Sequence, residues 1–150
     1  MRLFAAAALS VSIAGPVTAG EAPAVAPWPE RAEIAAREFV LANVQQLADS
    51  IQRIAHPEGR HPELTNLDIS RVEDRLLVRI AITWSTISAR RTFASWVYWE
   101  FGEDGHRQAQ VVSYSAPAKI TVKNAALLEA YFREKIYPAV MRGAGESAGK

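Results

Sequence analysis

The feature that most constrains the fold is an alternating run of apolar and polar residues that opens the segment Leu76 to Ser115. Its apolar side chains occupy every second position, at Leu76, Val78, Ile80, Ile82 and Trp84. Because successive side chains of a strand point to opposite faces, this run predicts a strand with one buried face. A second run of bulky residues, from Thr92 to Phe101, predicts the next antiparallel strand. We therefore expect the rest of the chain to be arranged around this sheet.

The turn after the second run predicts how the last two strands are paired. The sequence GEDG, residues 102–105, fits a three-residue hairpin loop whose last glycine is left-handed, with a bulge beside it. This loop sets Trp99 opposite Ala109 and Tyr98 opposite Gln110, which separates an apolar face from an amphipathic one. A two-residue turn would set Trp99 against Gln110 and mix the faces, so we favour the three-residue loop. The face predicted to join the core carries Phe93, Val97, Trp99 and Phe101.

The opposite face of the same strands is the candidate binding surface. It combines aromatic side chains with polar and charged ones, namely Trp96, Tyr98, Tyr114, Arg79 and Glu100. Trp, Tyr and Arg are enriched where proteins bind one another. Two other interpretations stay open: the C-terminal helix covers this face, or its aromatic residues only form cross-strand pairs. Glu100 and Arg79 are placed to flank a small polar ligand, although a cross-strand salt bridge is the simpler interpretation.

A long amphipathic helix is predicted before the sheet, from about Glu30 to Ala55. Apolar residues recur there at steps of three and four, at Ala36, Val40, Val44, Leu47, Ile51 and Ile54. This is the period of one helix face, and we expect that face to pack on the sheet. The helix should end at His56, because a residue that precedes proline is disfavoured in helical geometry.

A second helix is predicted after the sheet, beginning near Thr121 or Asn124. Its apolar stripe is formed by Ala125, Leu128, Phe132 and Ile136. Pro138 should end or kink this helix because proline lacks the N–H that the next helical bond requires. The small and polar residues 143–150 predict a flexible tail.

These elements predict one α+β domain over residues 30–142. A long N-terminal amphipathic helix packs on a four-stranded antiparallel meander, whose first strand includes Leu67 and Ile69, and a C-terminal helix follows. In element order this outline is similar to the NTF2-like and cystatin-like cone folds. That resemblance implies a small-ligand binder or an enzyme with its pocket between helix and sheet.

The N-terminus has the layout of a secretory signal peptide over residues 1–19. A short positive start at Arg2 is followed by an apolar run and by the small residues Val17-Thr18-Ala19, after which cleavage is expected. Residues 20–29 then form a Pro-rich linker, in which Trp28 is expected to dock on the domain. Export to the periplasm or beyond the cell follows, and no later segment is apolar enough to span a membrane.

The charge balance argues against a nucleic-acid partner. The chain has 17 Lys and Arg and 16 Asp and Glu, so loss of Arg2 with the signal peptide leaves equal numbers of each sign. A nucleic-acid-binding domain normally carries a clustered excess of basic residues. The partners we expect are therefore an envelope protein or a second copy of the chain.

The search for reaction chemistry gives little. The sequence HPEGRHPE repeats His-Pro-Glu, so His56 and His61 are weak candidates for metal ligands. There is no cysteine, no G-x-S-x-G elbow and no phosphate-binding glycine loop. We expect neither a cofactor nor a catalytic residue. The favoured interpretation is an exported, non-enzymatic binding or adaptor domain, with the cone-fold ligand binder as the alternative.

Overall fold

The computed structural model describes residues 25–88, 91–113 and 119–148, and it confirms the α+β fold class. The predicted signal peptide, residues 1–19, lies outside the described residues. Four antiparallel strands form a meander in chain order, with the bounds Arg60–Val72 (β1), Arg75–Ser85 (β2), Phe93–Gly102 (β3) and Gly105–Ser113 (β4).

Strand β1 begins earlier than the sequence predicts, at Arg60 instead of near Leu67. The second His-Pro-Glu copy therefore lies in the sheet and not in a connecting loop. His61 adopts a φ of 56°, and the pairing of β1 with β2 is irregular on both sides of Leu64. Pro62 lies within the first of these irregularities, on a strand at the edge of the sheet, where its missing N–H interrupts no central ladder.

The predicted pairing of β3 with β4 is confirmed, although the form of the turn differs. The residue pairs are Trp96 with Val112, Val97 with Val111, Tyr98 with Gln110 and Trp99 with Ala109. Gly102 pairs with Gly105 across a two-residue turn, and the extra residue is Arg107, further along β4. Gly105 has a φ of 156°, which residues with a side chain rarely adopt. The bulge restores the register that the faces of the strands require.

Two helices, α1 (Trp28–Ala42) and α2 (Val44–Ala55), replace the single long helix that the sequence predicts. The break lies at Asn43, whose backbone has φ −129° and ψ 32°. Its side-chain Nδ2 donates a hydrogen bond to the carbonyl of Phe39, at 2.8 Å. Asparagine amides compete with the helical backbone for such carbonyls. The side chain thus ends α1 while the apolar stripe continues into α2.

The C-terminal helical segment consists of α3 (Val122–Tyr131), a π-helical turn (Phe132–Ile136) and α4 (Tyr137–Ala148). Its buried side chains recur at steps of four, at Leu128, Phe132, Ile136, Val140 and Ala144. In a regular α-helix each step of four overshoots one turn by about 40°, so this stripe would drift to another face. The wide turn, in which the N–H of Tyr137 bonds to the carbonyl of Phe132, absorbs most of that drift.

Helix α4 also differs from the sequence prediction at both ends. The chain passes through Pro138 without ending the helix, because the wide turn separates the proline ring from the preceding carbonyls. Where a flexible tail was expected from residue 143, the helix continues to Ala148. The carbonyl of Ala144 accepts a 2.9 Å hydrogen bond from the guanidinium of Arg31, which connects α4 to the first turn of α1.

One hydrophobic core joins the described helices to the predicted inner face of the sheet. Trp28 is 7% exposed, and its ring packs edge-on against Phe101 at a centroid distance of 5.9 Å. The docking expected for Trp28 is thus confirmed, and it occurs within α1 and not in a linker. From the C-terminal segment, Phe132 contacts Trp99 with ring centroids 5.5 Å apart. The N-terminal helices α1 and α2 therefore cover the same side of the sheet as the C-terminal segment. We call these two groups of helices the helical layers.

Candidate functional site

The candidate surface, which we call the outer face, is the side of the sheet opposite the core. Its central row runs across the four strands through Asp68, Arg79, Tyr98 and Gln110, which are successive partners in the strand pairing. A neighbouring row contains Asn66, Ala81, Trp96 and Val112. The period of two in β2 and β3 separates these residues from the inner face, as the sequence predicts, although the small side chain of Ala81 is itself only 5% exposed.

Trp96 and Tyr98 form the aromatic centre of the outer face. They are two residues apart on β3 and stack with ring centroids 6.4 Å apart and an interplanar angle of 27°. Both side chains are half-buried. The stack leaves part of each ring accessible, which is the exposure that an aromatic binding surface requires.

The charged residues of the outer face do not form the pair between Arg79 and Glu100 that the sequence analysis considered. Arg79 binds the carboxylate of Asp68, whose hydrogen bond and charge raise the pKa of Arg79. Glu100 is 2.8 Å from the guanidinium of Arg75. Arg79 and Glu100 therefore have separate partners, and the suggested salt bridge between them is wrong. These pairs leave the surface with little unbalanced charge.

The described part of the C-terminal segment does not cover Trp96 or Tyr98. Phe132 packs on Trp99, whose side chain lies on the core side of β3, and Tyr137 contacts Phe101 on the same side. The hydroxyl of Tyr137 donates to the carbonyl of Gly102, at 3.2 Å. The remaining member of the predicted surface, Tyr114, lies outside the described residues.

A buried polar cluster, which the sequence analysis missed, lies on the core side of the sheet. The His56 ring is 1% exposed, and its Nε2 lies 2.7 Å from Ser95 Oγ and 3.0 Å from Ser113 Oγ. Trp84 donates its indole N–H to Ser95, at 3.1 Å. Burial lowers the pKa of His56 to about 4, so the ring is neutral at neutral pH and its Nε2 shares hydrogen bonds with the two serine hydroxyls.

This cluster is structural in character. Ser95 is fully buried, so a substrate could not reach its hydroxyl without an opening of the core. A histidine with a pKa of about 4 is also a weak general base near pH 7. Ser95 occupies an inward position of β3 between Phe93 and Val97, so strict alternation alone would have predicted its burial.

The two histidines considered as metal ligands lie in different environments. His56 uses Nε2 within the buried cluster, whereas His61 is exposed on the edge strand. Over residues 25–88, 91–113 and 119–148, no group of three or more His, Cys, Asp or Glu is placed to hold a metal ion.

A second polar connection joins the sheet to α3. The indole N–H of Trp99 donates to His106 Nδ1 at 3.1 Å, and the other ring nitrogen of His106 contacts the carboxylate of Glu129. Arg133 also binds Glu129. An acceptor at Nδ1 fixes the proton of a neutral His106 on Nε2, where it is donated to Glu129.

Comparisons with known proteins add no family to these observations. Searches against protein-family models, curated proteins and solved structures found no match to this chain. Within the described residues, no helix combines the length and apolar character needed to cross a bilayer.

Proposed function

We propose that this chain is an exported, non-enzymatic binding or adaptor domain that docks a partner protein on its outer face. The observation that carries the proposal is the partly exposed stack of Trp96 on Tyr98, on the side of the sheet opposite the described helices. Aromatic residues with an apolar body and a polar end supply much of the binding energy at protein interfaces.

The charge pattern indicates what kind of partner would fit. Arg79 and Glu100 are each neutralised by a neighbour on the domain. Gln108 and Gln110 flank the aromatic pair with amide groups. A partner surface that presents an apolar or aromatic side chain among hydrogen-bonding groups suits this face better than a strongly charged one.

The cone-fold alternative receives less support. Its pocket would lie between the N-terminal helices and the sheet, where the inward side chains are packed into the hydrophobic core. Val78, Ile80 and Val97 are each at most 1% exposed. The polar groups on that side are bound to one another in the His56 cluster, so they are not arranged around a ligand space.

The experiment is an affinity capture from envelope extract with the tagged, purified protein. The wild type is compared with a Trp96→Ser, Tyr98→Ser double variant whose fold is checked by circular dichroism. The matched control is Ile34→Ser with Leu41→Ser, which also removes two apolar side chains, 47% and 63% exposed, but from α1.

A partner retained by the α1 variant and lost by the outer-face variant supports the proposal. Equal capture by all three proteins, or no partner at all, contradicts it. Sedimentation of the same proteins tests self-association, which predicts a wild-type dimer that the outer-face variant loses. Mass spectrometry of the exported protein tests the signal peptide, because cleavage after Ala19 fixes the mass of the mature chain.

A further inference from the structure

A groove on the helical side of the domain lies where the two helical layers meet. It has a volume of about 360 Å³, within the range of roughly 300–1,000 Å³ found for small-molecule sites. Nine residues line it, drawn from α1, the break at Asn43, α2 and the C-terminal segment. They are Phe39, Asn43, Gln46, Leu47, Ser50, Tyr131, Lys135, Ile136 and Ala139.

Both irregularities of the helical layers face this groove. Asn43, where α1 ends and α2 begins, lines one wall. The π-helical turn contributes Lys135 and Ile136 to the other wall. Single π-turns within helices occur frequently at functional sites, and each such turn changes which side chains the helix presents. Two independent departures from regular helix thus border one cavity.

The lining has an apolar floor and a polar rim. Leu47 and Ile136 are 1% and 4% exposed and form the floor, beside the rings of Phe39 and Tyr131. The polar lining residues are Asn43, Gln46, Ser50 and Lys135. This distribution matches a ligand whose apolar body is buried while a polar head stays at the surface.

Lys135 supplies the one charge among the nine lining residues. Its neighbours Glu129 and Glu134 are engaged by Arg133, and no ion pair among the described residues uses Lys135. Lys135 is exposed at the rim of the apolar groove, where its charge attracts an anion with the modest strength of a surface ion pair. The ligand head is therefore expected to be negatively charged.

We propose that this groove binds a small amphipathic anion, an aliphatic or aromatic carboxylate whose apolar body lies on Leu47 and Ile136 and whose carboxylate pairs with Lys135. The site is separate from the outer face, since the helical layers and the aromatic stack are on opposite sides of the sheet. Binding of such a molecule does not depend on whether a protein partner docks on Trp96 and Tyr98.

The test uses decanoate as the probe, with decanol and decyltrimethylammonium as neutral and cationic molecules of the same chain length. Amide chemical shifts of the purified protein report the location of binding, and titration calorimetry reports the affinity. Decanoate is expected to bind most tightly and to shift the amides of Phe39, Ala139 and their neighbours. Lys135→Gln should weaken decanoate binding by up to about fivefold, as expected for an exposed ion pair, and leave decanol binding unchanged.

Two further variants make the result specific. Ala139→Trp fills the groove and should abolish binding of both decanoate and decanol. Lys123→Gln removes the same charge from an exposed position on α3, and it should bind decanoate like the wild type.

Absence of groove shifts with decanoate overturns the proposal, as does wild-type affinity in Ala139→Trp. Equal losses in the two lysine variants overturn the assignment of Lys135, because they would reflect net charge alone. If Ala139→Trp fails to fold, the location of the shifts in the wild type decides between binding in the groove and binding elsewhere.

Discussion

The imidazole of His56 lies nearly parallel to the indole of Trp84, with ring centroids 4.2 Å apart and an interplanar angle of 20°. The two side chains share Ser95, which contacts a nitrogen of each. Gln52 of α2 donates to the carbonyl of His56, at 2.6 Å, and thereby holds the residue at the end of its helix. His56, which the sequence predicts only as the end of a helix, is thus also part of the core.

Burial of His56 predicts that the protein loses stability in mild acid. Its pKa is lowered from 6.5 to about 4, so between these values the unfolded chain binds a proton that the folded chain does not. The free energy of unfolding should therefore fall as the pH falls from about 6.5 to about 4, by on the order of 3 kcal/mol. Above pH 6.5 this group contributes no pH dependence. Urea titrations at several pH values measure the slope.

The control for this prediction is His61, which is exposed on the edge strand. His56→Gln should reduce the acid-dependent loss, whereas His61→Gln should keep it. An unchanged slope in His56→Gln would show that other groups cause the acid sensitivity.

Trp28 is expected to contribute strongly to stability although it lies at the beginning of the first described helix. It is buried against Phe101, and truncation of a large buried aromatic residue typically costs about 3–5 kcal/mol. Its Nε1 is buried without a hydrogen-bond partner among the described residues. Trp28→Phe removes that donor and keeps a ring, so it should cost clearly less than Trp28→Ala. Urea unfolding of both variants measures these costs, and Val25→Ala, which alters a 59% exposed side chain, is the control. Equal unfolding midpoints for Trp28→Ala and Val25→Ala would refute the docking role of Trp28.

The assignment of faces in β2 and β3 could be predicted because two constraints agree. The period of two separates Trp99 from Tyr98, and only one pairing of β3 with β4 keeps apolar residues opposite apolar ones. The exact turn could not be predicted, because an extra residue at Arg107 produces the same register as an extra residue in the loop. Side-chain patterning fixes the register and leaves the position of the bulge undetermined.

Other features depend on contacts that periodicity does not contain. The apolar stripe runs through Asn43 without a change of period, and the helix breaks there through a hydrogen bond from the asparagine side chain. The charge pairs of the outer face depend on strand neighbours, and β1 begins seven residues earlier than predicted, at Arg60. The groove at Lys135 requires two helices to meet at their irregular turns. These features depend on contacts between separate elements, and the periodicity of a single sequence does not show such contacts.

The contact between Trp99 and His106 predicts a measurable coupling between the two residues. His106→Leu would leave the buried indole N–H of Trp99 without its 3.1 Å acceptor, which typically costs about 1–3 kcal/mol. Trp99→Phe removes the donor, so His106→Leu should cost less in that background. A double-mutant cycle in urea should give a coupling of about 1 kcal/mol. Additive effects would mean that the hydrogen bond does not contribute to stability.

The wide turn in the C-terminal helix makes a prediction about deletions. Removing Glu134 converts the step from Phe132 to Ile136 into one of three, which returns the buried stripe to an ordinary α-helical period. Pro138 would then lie within a regular helix, where proline costs about 3 kcal/mol, so the deletion should be combined with Pro138→Ala. We expect this variant to fold with its helix content retained, as measured by circular dichroism and urea unfolding.

The matched control is deletion of Asp49, an exposed residue in the regular helix α2. That deletion rotates Ile51 and Ala55 by about 100° relative to Leu47 and moves them away from the core. It should destabilise the protein far more than loss of Glu134 does in the Pro138→Ala background. Equal destabilisation by the two deletions would show that the π-helical turn does not serve to correct the helical register. If the prediction holds, the Glu134 deletion also shortens the spacing between Tyr131 and Lys135 and moves Lys135 relative to the rest of the groove, so decanoate should bind more weakly while the fold remains.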